Sequence, residues 1–219
     1  MNTMSIRVVL ADDHAVVREG LRLVLEAAGD ITVVGDVDDG RKAIAMVQEL
    51  SPEVAVLDVA MPELNGIEAA RQIRELYPKT QVVILSMYAT AEHVYRALQA
   101  GASGYVLKES AGKEVVSAVR AARNGTRYLS RKITETVIDD FVLQRQGLPA
   151  KSPLERLSTR EREILQLVVE GRSSADIAQT IYLSPKTVET YRSRLMQKLG
   201  VRDVPSLVKF AIQHGITTS

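Results

Sequence analysis

The chain has 219 residues, 28 of them Lys or Arg and 27 Asp or Glu, for a formal net charge of +1, and it contains no Cys. That length suits two domains with cores of their own, and the missing Cys excludes disulfides, thiolate metal sites and cysteine nucleophiles, fitting a reducing compartment. No apolar run approaches the roughly 20 residues of a membrane span, and the opening MNTMSIR lacks the apolar core of a signal peptide, so a cytoplasmic protein with no membrane partner is expected.

Five β-branched runs alternate with helical patterns through the first half: IRVVLA (6–11), ITVVGDV (31–37), VAVLDV (54–59), QVVILSM (81–87) and GYVLK (104–108). Near-continuous apolar strands separated by helices predict a parallel sheet buried on both faces. Between the first two runs, Val17, Leu21, Val24, Leu25 and Ala28 fall on one helical stripe with Gly29 as its stop, and 40–50, 66–77, 91–100 and 111–123 read as helices likewise. The alternation ends near Asn124-Gly125, which bounds a first domain at 1–125. From 126 to 153 the pattern weakens, and a helix at 131–145 followed by a linker, QRQGLPAKSPLE, is expected from Gly147, Pro149 and Pro153. Over 154–219 the β-branched runs disappear, and helices are expected at 159–170, 174–181, 185–199 and 204–213.

The net charge hides a division along the chain. Residues 1–125 carry 13 Lys and Arg against 17 Asp and Glu, whereas residues 151–219 carry 11 against 7. An acidic front and a basic back point to different partners, and the basic one suits nucleic acid.

Where the first strand run ends, Asp12 and Asp13 stand side by side. Two carboxylates about 4 Å apart repel by roughly 4 kcal/mol at an effective dielectric of about 20, so something must offset the pair. Asp58 ends the third run, Ser86 the fourth and Lys108 the fifth. An open parallel sheet binds ligands outside the carboxyl ends of its strands, where the strand order reverses, which brings these groups to one rim. Three carboxylates there call for a hard cation such as Mg²⁺. Asp13 taken alone equally suits the cap of the following helix. A carboxylate, a hydroxyl, a lysine and a metal together suggest phosphoryl chemistry with Asp58 as nucleophile. The chain has no GxxxxGK[ST] loop to cradle a nucleotide, so the phosphoryl group must come from another protein or a small donor.

The segments ADDH, LDVAMPELNGIEA, ILSM and GASGYVLKES resemble the receiver domain of two-component response regulators over residues 5–124. The resemblance implies a doubly wound five-stranded sheet in the order 2-1-3-4-5. It makes Asp58 the phospho-acceptor, Asp13 a direct Mg²⁺ ligand, Asp12 a supporting acid and the Ala60 carbonyl a further ligand. Ser86 and Tyr105 become the switch pair, and Lys108 the bridge to the phosphoryl group.

In the second half, YLS reads as a tight turn between two helices, the second opened by Ser184 as cap with Pro185 at its first position. On that helix Val188, Tyr191, Leu195 and Leu199 form an apolar stripe. The opposite face carries Lys186, Glu189, Thr190, Ser193 and Gln197, flanked by Thr187, Arg194 and Lys198. Such a face suits the major groove, although an ordinary helical hairpin with a solvated charged face remains the alternative. Residues 154–218 resemble the LuxR-type DNA-binding domain, and the whole chain a NarL/FixJ-subfamily response regulator with a smaller all-α helix-turn-helix domain. That resemblance implies base reading by Glu189, Thr190 and Ser193 and phosphate contacts from Lys186, Arg194 and Lys198. It also makes Leu207, Val208, Ala211 and Ile212 on the last helix a dimer contact. His214 near the end of that helix reads as a favourable charge at a helix C-terminus.

The function implied is phosphorylation-controlled transcription regulation. The partners are a sensor histidine kinase, double-stranded DNA, a second copy of the chain and, further, RNA polymerase. A rival is an aspartate-nucleophile phosphatase, but such enzymes carry a second acid two residues after the nucleophile on the first strand, whereas Asp58 is on the third and is followed by Val-Ala-Met-Pro. Another is a constitutive DNA-binding protein with a vestigial receiver, against which the intact acid, hydroxyl and lysine set argues.

Overall fold

The computed structural model describes residues 5–144 and 153–217. The chain divides into two compact units, Met1–Leu148 and Pro149–Ser219. The first alternates β1 (Ile6–Ala11), α1 (Ala15–Glu26), β2 (Ile31–Val37), α2 (Gly40–Leu50), β3 (Val54–Asp58), α3 (Gly66–Leu76), β4 (Gln81–Ser86), α4 (Ala91–Gln99), β5 (Gly104–Leu107) and α5 (Ala111–Arg123). All strand pairs are parallel, in the order β2-β1-β3-β4-β5 with β6 (Tyr128–Leu129) added beyond β5.

Strand residues alternate between two cores, as a pleated sheet requires. On β3, Ala55 and Leu57 join the core under α2, α3 and α4, while Val54 and Val56 join the one under α1 and α5. Helices α2 and α3 start where short polar side chains satisfy first-turn N–H groups. Asp39 accepts from Lys42 N at 2.8 Å, and Asn65 from Glu68 N at 3.0 Å. Gly66 follows that cap for a steric reason: a Cβ there would lie 1.9 Å from the Asp58 carbonyl oxygen.

The sheet has six strands where five are expected. The sixth, β6 (Tyr128–Leu129), pairs with Gly104 and Tyr105. It is two residues long and carries no β-branched run, so no period marks it in the sequence. Ser130 secures it, with its N–H bonded to the Tyr105 carbonyl and its Oγ accepting from Leu107 N at 3.1 Å. The helix expected in the weakly patterned segment follows as α6 (Arg131–Gln144), and Ile133 on it is fully buried in the core with Val94, Ala97 and Tyr105. The beginning of the expected linker is thus built into the first unit, while Gly147 and Pro149 lie outside the described residues.

The second unit is helical: α7 (Thr159–Val169), α8 (Ser174–Thr180), α9 (Pro185–Leu199) and α10 (Val204–Gln213). Ser158 and Ser173 close capping boxes with Glu161 and Asp176, Ser184 caps α9 with Pro185 in its first turn, Gly200 ends α9 in the left-handed region, and Asp203 caps α10. Ile164, Leu167, Ile177, Val188, Leu195, Leu207 and Ala211 form its core. Among the described residues, no helix is long and apolar enough to cross a membrane.

Candidate functional site

The strand order reverses at β1, which lies between β2 and β3, and the carboxyl ends of β1 and β3 carry the acids. Asp12 follows β1 and Asp58 ends β3, and both are buried. Lys108 opens the turn after β5 and sends its Nζ to 2.7 Å from Asp12 Oδ2 and 2.8 Å from Asp58 Oδ2. Burial, and next the Asp12 charge, raise the Asp58 carboxyl from 3.8 to about 6 against the pull of Lys108. Burial also works to lower the Lys108 ammonium, but the Asp58 and Asp12 carboxylates outweigh it and hold it above its ordinary value.

Asp13 points outward, and it does not cap α1. The cap position belongs to His14, with no side-chain bond to the helix. His14 Nδ1 lies 2.7 Å from Asp13 Oδ1 and 3.2 Å from Asp12 Oδ1, so ligand atoms of Asp12, Asp13, His14 and Asp58 all lie within 4.8 Å of one another. Three carboxylates against one lysine leave negative charge in excess at the rim, and an oxygen-rich donor set of that charge fits a hard divalent cation. Ala60, two residues past Asp58, is half-buried. Arg18 Nη1 donates to the Asp12 carbonyl at 2.5 Å, tying α1 to the end of β1.

Ser86 and Tyr105 are fully buried and meet through a third residue. Ser86 Oγ accepts from Tyr88 N at 3.0 Å, and the Tyr105 hydroxyl donates to the Tyr88 carbonyl at 2.8 Å. Burial pushes the Tyr105 hydroxyl far above its usual range, offset in part by Ser86. The Tyr88 ring stacks on His93 of α4, with centroids 4.5 Å apart. Sequence reasoning missed His14, Arg18, Gly66 and Tyr88. The adjacency of His14 to the acid pair was the one readable signal.

In the second unit Lys186, Glu189, Thr190, Ser193, Arg194 and Gln197 are exposed along α9, and Thr187 is half-buried. Lys198 is also exposed and donates to Glu161 Oε2 at 2.7 Å, which ties it to the start of α7. Arg192, absent from the expected set, donates to Ser174 Oγ at 3.0 Å and braces α8 against α9. The expected dimer contact needs a correction: Leu207 and Ala211 are fully buried in their own unit's core, leaving Val208 half-buried and Ile212 exposed. The stripe is wider than the area its own core covers. His214 caps the end of α10, its ring tilted on Phe210 with centroids 4.2 Å apart.

Residues 8–120 match the family model of the response regulator receiver domain, and residues 155–211 that of the bacterial regulatory proteins of the luxR family. The chain is a two-component response regulator of the NarL/FixJ type. The regulator is 39% identical to the uncharacterized transcriptional regulatory protein YxjL of Bacillus subtilis over 216 residues, covering 99% of each chain. It is 38% identical to the oxygen regulatory protein NreC of Staphylococcus epidermidis, over 94% of this chain and 97% of that one. Among solved structures it resembles the RcsB response regulator of Salmonella typhimurium, with a TM-score of 0.66 and 27% identity over 98% of this chain and 99% of that one. An RcsB–DNA complex matches with a TM-score of 0.58 and 26% identity, covering 94% and 97%. The family regulates transcription and is not one of catalytic enzymes. Its members bind DNA, dimerise and interact with sensor kinases.

Proposed function

We propose that Asp58 accepts the phosphoryl group in this regulator, and that phosphorylation controls DNA reading by the exposed face of α9. The observation that carries the reading is the Lys108 ammonium held between Asp12 and Asp58 at two buried strand ends. An Asp58 oxygen attacks the phosphorus of a phosphohistidine on a sensor kinase; the O–P bond forms, the P–N bond breaks, and the imidazole leaves with the electron pair. Asp12, Asp13, the Asp58 carboxylate and the Ala60 carbonyl would hold Mg²⁺. The ion supplies charge neutralisation to the phosphoryl oxygens when bound. Lys108 already lies beside the Asp58 carboxylate and pairs with a phosphoryl oxygen without travelling far. Ser86 hydrogen-bonds another, and in turning to it releases the Tyr88 N–H.

On α9, Glu189, Thr190 and Ser193 meet base edges and Lys186 and Arg194 meet phosphates, with Thr187 at the margin. Ile212, helped by Val208, forms the dimer contact. RNA polymerase is the further partner, and the cytoplasm the place of action.

The test is mass spectrometry after incubation with a small phosphoryl donor. One acid-stable, base-labile phosphoryl group is expected, dependent on Mg²⁺ and absent from Asp58→Asn. Undiminished labelling of that variant rules out the assignment.

A further inference from the structure

Tyr182, in the turn between α8 and α9, is 93% exposed, and its hydroxyl makes no hydrogen bond within the described residues. Its φ is +55°, a region in which the Cβ crowds the following carbonyl and which residues other than Gly, Asn and Asp seldom adopt. The conformation is that of a left-handed helix cap at the end of α8, a position that Gly101, Gly171, Gly200 and Gly215 fill elsewhere in the chain. Arg160 on α7 donates through Nη2 to the carbonyl of Ile181, the residue before, while its Nη1 is held by Glu163 at 2.5 Å. On the other side, Leu183 N bonds the Ala178 carbonyl at 2.9 Å and Ser184 caps α9. The cap bonds therefore hold a bulky side chain in a backbone state that Gly would adopt at less cost, and leave its ring and hydroxyl exposed to solvent. Strained residues that persist because their surroundings fix them cluster at binding sites.

The position of the turn indicates what the ring meets. Tyr182 precedes the α9 cap by two residues, and α9 begins with Lys186 on its exposed face and carries Arg194 two turns on, in a half of the chain with 11 Lys and Arg against 7 Asp and Glu. When the N-terminal end of such a helix enters the major groove, the turn before it lies over the flanking sugar–phosphate strand. A phenol there packs its ring on the sugar and has a donor free for a phosphate oxygen.

We propose that Tyr182 is a further DNA contact, its hydroxyl donating to a backbone phosphate beside the groove that α9 enters. This rests on the DNA reading of α9 given above. The contact positions the unit and carries no sequence information, so it acts alike on any duplex.

The experiment uses the full chain, a duplex selected from a random pool by the wild type, and a scrambled duplex of equal length. Tyr182→Phe and Tyr182→Gly are each expected to bind both duplexes about three- to tenfold more weakly. Tyr182→Gly is also expected to melt a few degrees above the wild type, since Gly adopts positive φ without strain. Weaker binding by a more stable protein separates a lost contact from a damaged fold, and Tyr182→Phe keeps the ring and the strain. Thr190→Ala is the control for base reading and loses affinity on the selected duplex alone. Wild-type affinity in Tyr182→Phe overturns the hydroxyl contact while Thr190→Ala still behaves as expected. Failure of the wild type to bind any duplex overturns the DNA reading and this contact with it.

Discussion

The Tyr105 hydroxyl and the Ser86 hydroxyl do not act on each other alone; both hold the peptide groups of Tyr88, Tyr105 by its carbonyl and Ser86 by its N–H. The loop between β4 and α4 is thus pinned at one residue from two strands, by Ser86 at the end of β4 and by Tyr105 within β5. Tyr105→Phe removes one pin without opening a cavity. It is expected to cost about 0.5–1.5 kcal/mol and to raise amide exchange over residues 87–90, while labelling of Asp58 stays within about twofold of wild type. Exchange unchanged over that loop contradicts the pinning.

Asp58→Asn tests the electrostatics of the pocket in metal-free buffer. The folded carboxyl titrates near 6 and the unfolded one near 3.8, so the unfolded chain ionises first and the folded chain holds the extra proton between those values. Stability therefore falls as pH rises from about 4 to about 6, and the full cost, on the order of 3 kcal/mol at most, stands above pH 6. Asn carries no such charge. The variant is expected to melt above wild type at neutral pH, by a margin that shrinks as the pH is lowered through 6 towards 4. A margin independent of pH contradicts it.

Gly66→Ala would place a methyl group 1.9 Å from the Asp58 carbonyl oxygen. Either α3 or the end of β3 must shift. A loss of about 1–3 kcal/mol in urea denaturation is expected, with slower phosphorylation because the displaced residue is the acceptor itself.

Two cations on α9 separate by what they already touch. Arg194→Ala is expected to leave thermal stability unchanged and to reduce the salt slope of DNA binding by about one unit. Lys198→Ala strips its partner from Glu161, which is nearly buried, and is expected to lower stability by about 1 kcal/mol or more. Lys198→Ala with unchanged melting and a reduced salt slope would place it on phosphate after all.

Much of this was legible in the sequence because strong local signals and the global fold agree. Apolar runs such as VAVL and QVVIL require a buried strand, and a charged residue at the end of such a run, as Asp58 is, has few structural uses. The caps Ser184 and Asp203 are readable for the same reason, since their chemistry is local. What escaped depends on distant partners. The place of Lys198 is set by Glu161, 37 residues away, and that of Ser130 by Leu107, 23 residues away. An apolar stripe likewise tells which side of α10 is oily but not how far its own core covers it, which is why Leu207 and Ala211 were assigned to a partner they cannot reach. No residue-type rule marks Tyr182 for positive φ; the cap bond from Leu183 N to the Ala178 carbonyl does.

The rooting of α6 has a mechanical consequence. Its first turn is fastened by Ser130 and Ile133 to β5 and to the core beneath α4, whereas its later residues Ile138 and Phe141 are exposed. Fourteen helical residues make a rod about 21 Å long. A tilt of about 5° at the root, on the scale of a side chain such as Ile133 repacking, carries the far end through about 2 Å. The helix thus has a fixed root beside Tyr105 and an exposed far end, so any tilt at the root grows along its length.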